Sequence, residues 1–220
     1  DTAFKTDDQW KIIFERLTTL AKTNGLSDVA WSETFILQRN DVNIRKLEGL
    51  QPEAPVLLKQ VDEITLNNVK IQVQNVMDVT EKIYFQVDLI EGQKTGFFLD
   101  QTFNMKLLLD FIQMKKKNFK GRPVKILDLC CYMGQWSAQI VHNLKKWGLE
   151  SDVHLVDVSD LALKKASENL SGYGAQVTTY KTDVLDGLAQ FQENEFDIVI
   201  SDPPAFVKNK KDIHQGLHAY

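Results

Sequence analysis

Apolar residues recur along the start of the chain at the spacing of an amphipathic helix. Trp10, Ile13, Phe14, Leu17, Leu20 and Ala21 share a face, Thr6 with Gln9 resembles a capping box, and Gly25 follows the last turn. The pattern predicts a helix over residues 7–22. A strand is expected over 34–39. From 64 to 90 the period changes to two. Ile71 and Val73 mark one strand, and Ile83, Phe85, Val87 and Leu89 mark a clearer one. Asn67-Asn68 is a candidate hairpin turn. This region reads as a small α+β domain over residues 1–95.

The pattern changes again after Gly96. A helix is expected over 101–115 with Leu107, Leu108, Phe111 and Ile112 facing inward, followed by a basic loop to Pro123. Four strand–helix units come next, with strands near 124–129, 153–157, 176–180 and 196–201. The first and last strands, Val124-Lys-Ile-Leu-Asp-Leu and Phe196-Asp-Ile-Val-Ile, are mainly apolar. That suits a parallel sheet covered on both faces. Alternating strands and helices predict a doubly wound, Rossmann-like α/β domain over 96–220, ending after its fourth strand.

Composition narrows the function classes. The chain has 220 residues, 43% hydrophobic and 25% charged, with a formal net charge of -4. There is no bulk basic signal for nucleic acid. Any such contact falls to local patches, Lys115, Lys116, Lys117, Lys120, Arg122 and Lys125, or Lys208, Lys210 and Lys211, which also read as solvated loop ends. Cys130 and Cys131 are adjacent, which makes neither a disulfide framework nor a zinc set. A reducing, cytoplasmic compartment is expected. No apolar run is long enough to span a membrane, and no signal peptide is recognised. The first residue is Asp1 rather than Met, as expected of a piece of a longer protein.

In a doubly wound sheet, ligands bind beyond the carboxyl ends of the strands. The first strand runs into Asp128-Leu-Cys130-Cys-Tyr132-Met-Gly134-Gln-Trp136. One glycine is too few for a pyrophosphate-binding turn, which argues against NAD or FAD. Asp128 is a candidate for the charged amino group of a ligand, directly or through water, or for capping the next helix. Asp157 follows Gly134 by 23 residues, where a carboxylate accepts from both hydroxyls of a ribose. Its capping alternative is weakened because Ser159 or Asp160 serves that purpose. Asp183, after the third strand, suits an adenine amino group or another helix cap. After the fourth strand, Asp202-Pro203-Pro204-Ala205-Phe206 forms a stiff turn. Asp202, Pro203, Pro204 and Phe206 are the catalytic candidates, Phe206 as a stacking plane for a base.

Several runs together resemble the bacterial 23S rRNA cytosine-C5 methyltransferases. They are Gly92-Gln-Lys94-Thr95-Gly96-Phe-Phe-Leu-Asp100-Gln101, Asp128 to Trp136, Asp157-x-Ser159, and Asp202-Pro-Pro-Ala-Phe206 with Lys208 and Tyr220. Arg39-Asn40-Asp41, Arg45 and Glu48-Gly49-Leu50 resemble that family's central domain. The resemblance runs from about residue 33 to the end, with its motifs in order. It implies a class I methyltransferase sheet, S-adenosylmethionine as cofactor, and RNA as substrate. Lys94, Thr95, Gly96 and Asp100 would help close over the cofactor, and Asp128, Cys130, Tyr132, Gly134, Asp157, Ser159, Asp183 and Asp202 would line it.

Three departures follow from the same resemblance. Thr102 and Met105 stand where the family usually has arginines. The RNA-binding PUA domain is missing, and the chain stops at Tyr220, before the expected last strands and the family's candidate cysteine nucleophile. Cytosine C5 methylation needs a thiolate to add at C6. Cys130 and Cys131 read as packing residues, so this chain alone is expected to be inactive. Its fourth strand is expected to be an exposed sheet edge, and a homodimer could pair through it. The alternatives are methylation of an amino nitrogen on a base or protein, and a module that binds cofactor or RNA without catalysis.

Overall fold

Helical periodicity at the start of the chain gives α1 (Asp7–Thr23), closed by Asn24 and Gly25, whose N–H groups bond carbonyls of the last turn. The computed structural model describes residues 7–25, 33–41, 44–47, 49–60, 65–92, 96–98, 100–119 and 121–203. Thr6 of the expected capping box lies outside them. The chain divides into two units, residues 1–69 with 88–96, and residues 70–87 with 97–220.

In the first unit, β1 (Ile36–Gln38) precedes α2 (Ile44–Leu47) and pairs antiparallel with β2 (Val56–Lys59). Arg39 donates to both oxygens of Asp41 and to the carbonyls of Leu89 and Gly92, tying the 88–92 loop to the end of β1. Asp88 shapes that loop by accepting from the N–H groups of Ile90 and Glu91 at 2.8 Å. Gly96 closes against it, since a Cβ there would lie 2.9 Å from the Asp88 carbonyl oxygen, at φ +86°.

The second unit begins with a hairpin of β3 (Val69–Asn75) and β4 (Asp78–Val87). Its turn is Val76-Met77, not Asn67-Asn68, which form a short 3-10 turn ahead of β3. Asn75 makes the reversal by accepting from the Met77 N–H at 3.0 Å, a side-chain bond that replaces glycine as turn former. Ile83, Phe85 and Val87 are buried on the inner face of β4.

Next comes α3 (Thr102–Lys115). It buries Met105, Leu109 and Ile112, whereas Leu107 and Phe111 are each 54% exposed. Ile112 is buried as expected and Leu108 is half-buried, while the expectation for Leu107 and Phe111 is corrected. Residues 105, 109 and 112 are one stripe at helical spacing, and 107 and 111 belong to another. Met105, at a position where the resembled family usually has arginine, is a core residue.

Four strands follow, separated by helices: β5 (Val124–Leu129), α4 (Gln135–Lys146), β6 (Ser151–Asp157), α5 (Asp160–Leu170), β7 (Gln176–Lys181), the short α6 (Val184–Gly187) and β8 (Ile198–Ser201). They pair in parallel in the order β7-β6-β5-β8. The sheet is Rossmann-like, and strand order reverses beside β5. Val124, Ile126, Leu127 and Leu129 of β5 are buried, as a central strand covered on both faces requires. Leu127, Leu129 and Val156 form a cluster under Tyr180, Val184, Phe191 and Phe196.

Buried amides dock the hairpin onto the helices. Asn75 and Asn143 exchange hydrogen bonds. Gln139 donates to the Gln74 carbonyl and accepts from the Val76 N–H. Asn169 accepts from the Gln86 N–H at 2.7 Å and donates to the carbonyls of Gln86 and Met133. Glu81 accepts from His142, Lys146 and Asn75, which hold its carboxyl at about 2.

Candidate functional site at the carboxyl ends of the strands

The turn after β5 is wound tightly. Cys130, Tyr132 and Gly134 have φ of 57°, 48° and 70°. The Cys131 N–H bonds the Val156 carbonyl and the Gly134 N–H bonds the Cys131 carbonyl, so the turn is fixed to β6 and to itself. Gly134 starts α4, and a Cβ there would lie 2.9 Å from Leu170 Cδ1 and 3.1 Å from Ala166 Cβ. The turn is seated directly on α5. Phe98 packs edge-on against the Tyr132 ring at 5.3 Å, which brings part of the glycine–phenylalanine signature onto it.

Four carboxylates surround this turn. Asp157, at the end of β6, accepts from the N–H of Tyr132 at 3.0 Å and of Ser159 at 2.9 Å. Both oxygens are oriented by backbone. Ser159 is the residue that caps α5, by accepting from Ala162. Asp183 caps α6 by accepting from Leu185 at 2.9 Å and is exposed. Asp202, just past β8, is exposed and accepts from the Trp136 indole N–H at 3.1 Å.

Asp128 differs from the other three. It is 1% exposed, and Ser137, in the first turn of α4, donates its hydroxyl at 2.6 Å. Burial pushes its carboxyl up to about 7 against the hydrogen bonds from Ser137, and the charges of Asp202 and Asp157 add to the rise. Asp128 therefore secures the start of α4, and its carboxyl does not reach solvent. Burial also pushes the Cys130 thiol up to about 11, with further contributions from Asp157, Asp183, Asp128 and Asp202. Burial raises the Cys131 thiol as well. Both cysteines remain protonated at neutral pH.

The structure thus gathers Asp128, Cys130, Tyr132, Gly134, Asp157, Ser159, Asp183 and Asp202 at one end of the sheet. Pro203 is half-buried after Asp202, and Asp100 is exposed before α3. Gly96 lies in the first unit. Lys94, Thr95, Pro204 and Phe206 lie outside the described residues. Sequence reasoning missed the roles of Ser137 and Asn169. Asn169 carried a signal, being a polar residue on the apolar stripe of Ala162, Leu163, Ala166 and Leu170.

Residues 126–219 match the family model of a methyltransferase domain. The chain is 31% identical over 194 residues to ribosomal RNA large subunit methyltransferase I of Shewanella denitrificans, a match covering 84% of this chain and 42% of that protein. It is 29% identical over 202 residues to the protein of the same name from Photobacterium profundum, covering 88% of this chain and 44% of that one. The chain spans less than half the length of the curated relatives it matches. A solved S-adenosylmethionine-dependent methyltransferase from Agrobacterium tumefaciens is 20% identical, covering 70% of this chain and 45% of that one at a TM-score of 0.45. In the second unit, the parallel order β7-β6-β5-β8 puts the carboxylate-lined turn beside the reversal of strand order. Among the described residues, no helix is long and apolar enough to cross a membrane.

Proposed function

We propose that the methyltransferase domain binds S-adenosylmethionine at the carboxyl ends of β5, β6 and β7 and serves the methylation of ribosomal RNA. The convergence of four carboxylates on the Cys130–Gly134 turn carries this reading. An acidic, partly buried turn favours a cationic ligand over a phosphorylated one. When bound, the cofactor supplies an electrophilic methyl group. Asp157 would hold the ribose hydroxyls, because its oxygens are already oriented and retain free lone pairs. Asp183 would accept from the adenine amino group through the oxygen that Leu185 does not use. Asp128 would shape the turn from behind. Lys94, Thr95, Gly96 and Asp100 would close over the cofactor, as the family resemblance implies. Asp202, Pro203, Pro204 and Phe206 would face the acceptor base. The names of the relatives support ribosomal RNA as the substrate.

For cytosine C5, the chemistry needs a thiolate, and neither cysteine of this chain supplies one. The nucleophile would have to come from outside these 220 residues. A second reading, transfer to an amino nitrogen, needs no thiolate. It is favoured by the exposed Asp202, whose second oxygen can accept from an NH2 group. Calorimetry with S-adenosylhomocysteine tests the cofactor site, and absence of binding would overturn the proposal. Incubation with radiolabelled cofactor and unmodified ribosomal RNA, followed by nucleoside analysis, tests the acceptor. We expect no 5-methylcytidine from this chain alone. Its formation would refute the assignment of both cysteines, and an N-methylated nucleoside would select the second reading.

A further inference from the structure

The first turn of α4 holds two carboxylates that arrive from different strands. Ser137 donates to Asp128, near the end of β5, and Trp136 donates to Asp202, directly after β8. The two strands are neighbours, with Asp128 opposite Ile200 and Leu129 opposite Ser201. The positive end of a twelve-residue helix favours both charges. The two differ in access. Asp128 is sealed in the interior, whereas Asp202 is exposed, and its Oδ1 has no partner among the described residues.

An exposed aspartate has two side-chain torsions and is poorly fixed by itself. Trp136 changes that, because its indole is half-buried on the first turn of α4 and its Nε1 is a donor only. We infer that Trp136 is a positioning residue for Asp202. Its N–H fixes Oδ2 and leaves Oδ1 to accept a hydrogen bond from the acceptor base in the crevice between β5 and β8. The inference rests on the methyltransferase reading above. It adds that acceptor recognition depends on a hydrogen bond made outside the cofactor contacts.

The test is a double-mutant cycle on binding, independent of turnover. Calorimetry first measures S-adenosylhomocysteine with the unaltered chain. No binding would overturn the methyltransferase reading, and this inference with it. A single-stranded fragment of unmodified large-subunit ribosomal RNA is then titrated into the chain saturated with S-adenosylhomocysteine. Trp136→Phe keeps the ring and removes the donor. Trp136→Phe and Asp202→Ala should each weaken RNA binding about fivefold to tenfold, with the double variant no weaker than either. In Trp136→Phe, affinity for S-adenosylhomocysteine should stay within about twofold of the unaltered chain. Three results would overturn the inference. One is RNA affinity unchanged in Trp136→Phe or in Asp202→Ala, or additive losses in the double variant. Another is a parallel loss of melting temperature and of both affinities in Trp136→Phe, which would make the bond a structural tether. The third is an unaltered chain that binds S-adenosylhomocysteine but no RNA.

Discussion

Replacing Asp128 by asparagine removes a carboxyl that folding takes out of water. Burial raises it from 3.8 to about 7, so between those values the folded chain holds a proton that the unfolded chain has released. Stability from this group is fully present below 3.8 and is lost as pH rises through about 7. Three powers of ten in proton affinity correspond to about 4 kcal/mol, of which about 2–3 kcal/mol is lost between pH 5 and pH 8. Asparagine keeps an oxygen for the Ser137 hydroxyl and adds an NH2 group, whose unmet bonds cost about 1–3 kcal/mol at any pH. Urea unfolding of both proteins at pH 5 and pH 8 isolates the pH-dependent part. The variant should gain about 2–3 kcal/mol relative to the unaltered chain on going to pH 8. A difference that stays constant within about 0.5 kcal/mol would show that Asp128 ionises without penalty, and the burial argument would fail.

Two further substitutions probe the same turn. Gly134→Ala must place a Cβ against Leu170 and Ala166 at positive φ, and we expect a loss of about 2–4 kcal/mol, read as a lowered melting temperature. An unchanged melting temperature would mean that α5 does not seat the turn. Asp157→Ala should weaken S-adenosylhomocysteine binding about tenfold or more, because charge-assisted hydrogen bonds contribute about 1.5–3 kcal/mol each. Unchanged affinity would remove Asp157 from the ribose site.

The parts of the fold legible in the sequence are those where one pattern has one solution. Residues 124–129 form β5 over the expected span because a short apolar run bounded by Pro123 and by the turn at Cys130 has room for one buried strand and no more. β8 is two residues shorter than expected. Phe196 turns into a ring cluster with His154 and Phe191, and Asp197 pairs with Arg122 and accepts from the Lys125 N–H, which ends the ladder at Ile198. The face of α3 was ambiguous because the helix carries two apolar stripes. The hairpin turn was hidden because Val76-Met77 has no turn residues, and the neighbouring Asn75 does the work through its side chain. At the site, position was legible and environment was not. The ends of β5, β6, β7 and β8 could be named from spacing alone. The burial of Asp128 depends on Ser137, nine residues away, and on how α4 leaves the turn.

The amide contacts of the hairpin also act as a key for its register. A strand that slips by one residue presents its opposite face. For an apolar surface that error is graded, since a displaced methyl group still finds some oil-like neighbours. For Asn75, Gln139, Asn143 and Asn169 it is all or nothing, because each matches a particular backbone or amide group on the other side. A slipped hairpin would strand several donors and acceptors in the interior, at about 1–3 kcal/mol apiece. Misdocking of the hairpin is thereby penalised well beyond the loss of apolar contact. The Asn169 amide that checks Gln86 also holds the Met133 carbonyl, so the turn takes its final shape only when the hairpin is in register.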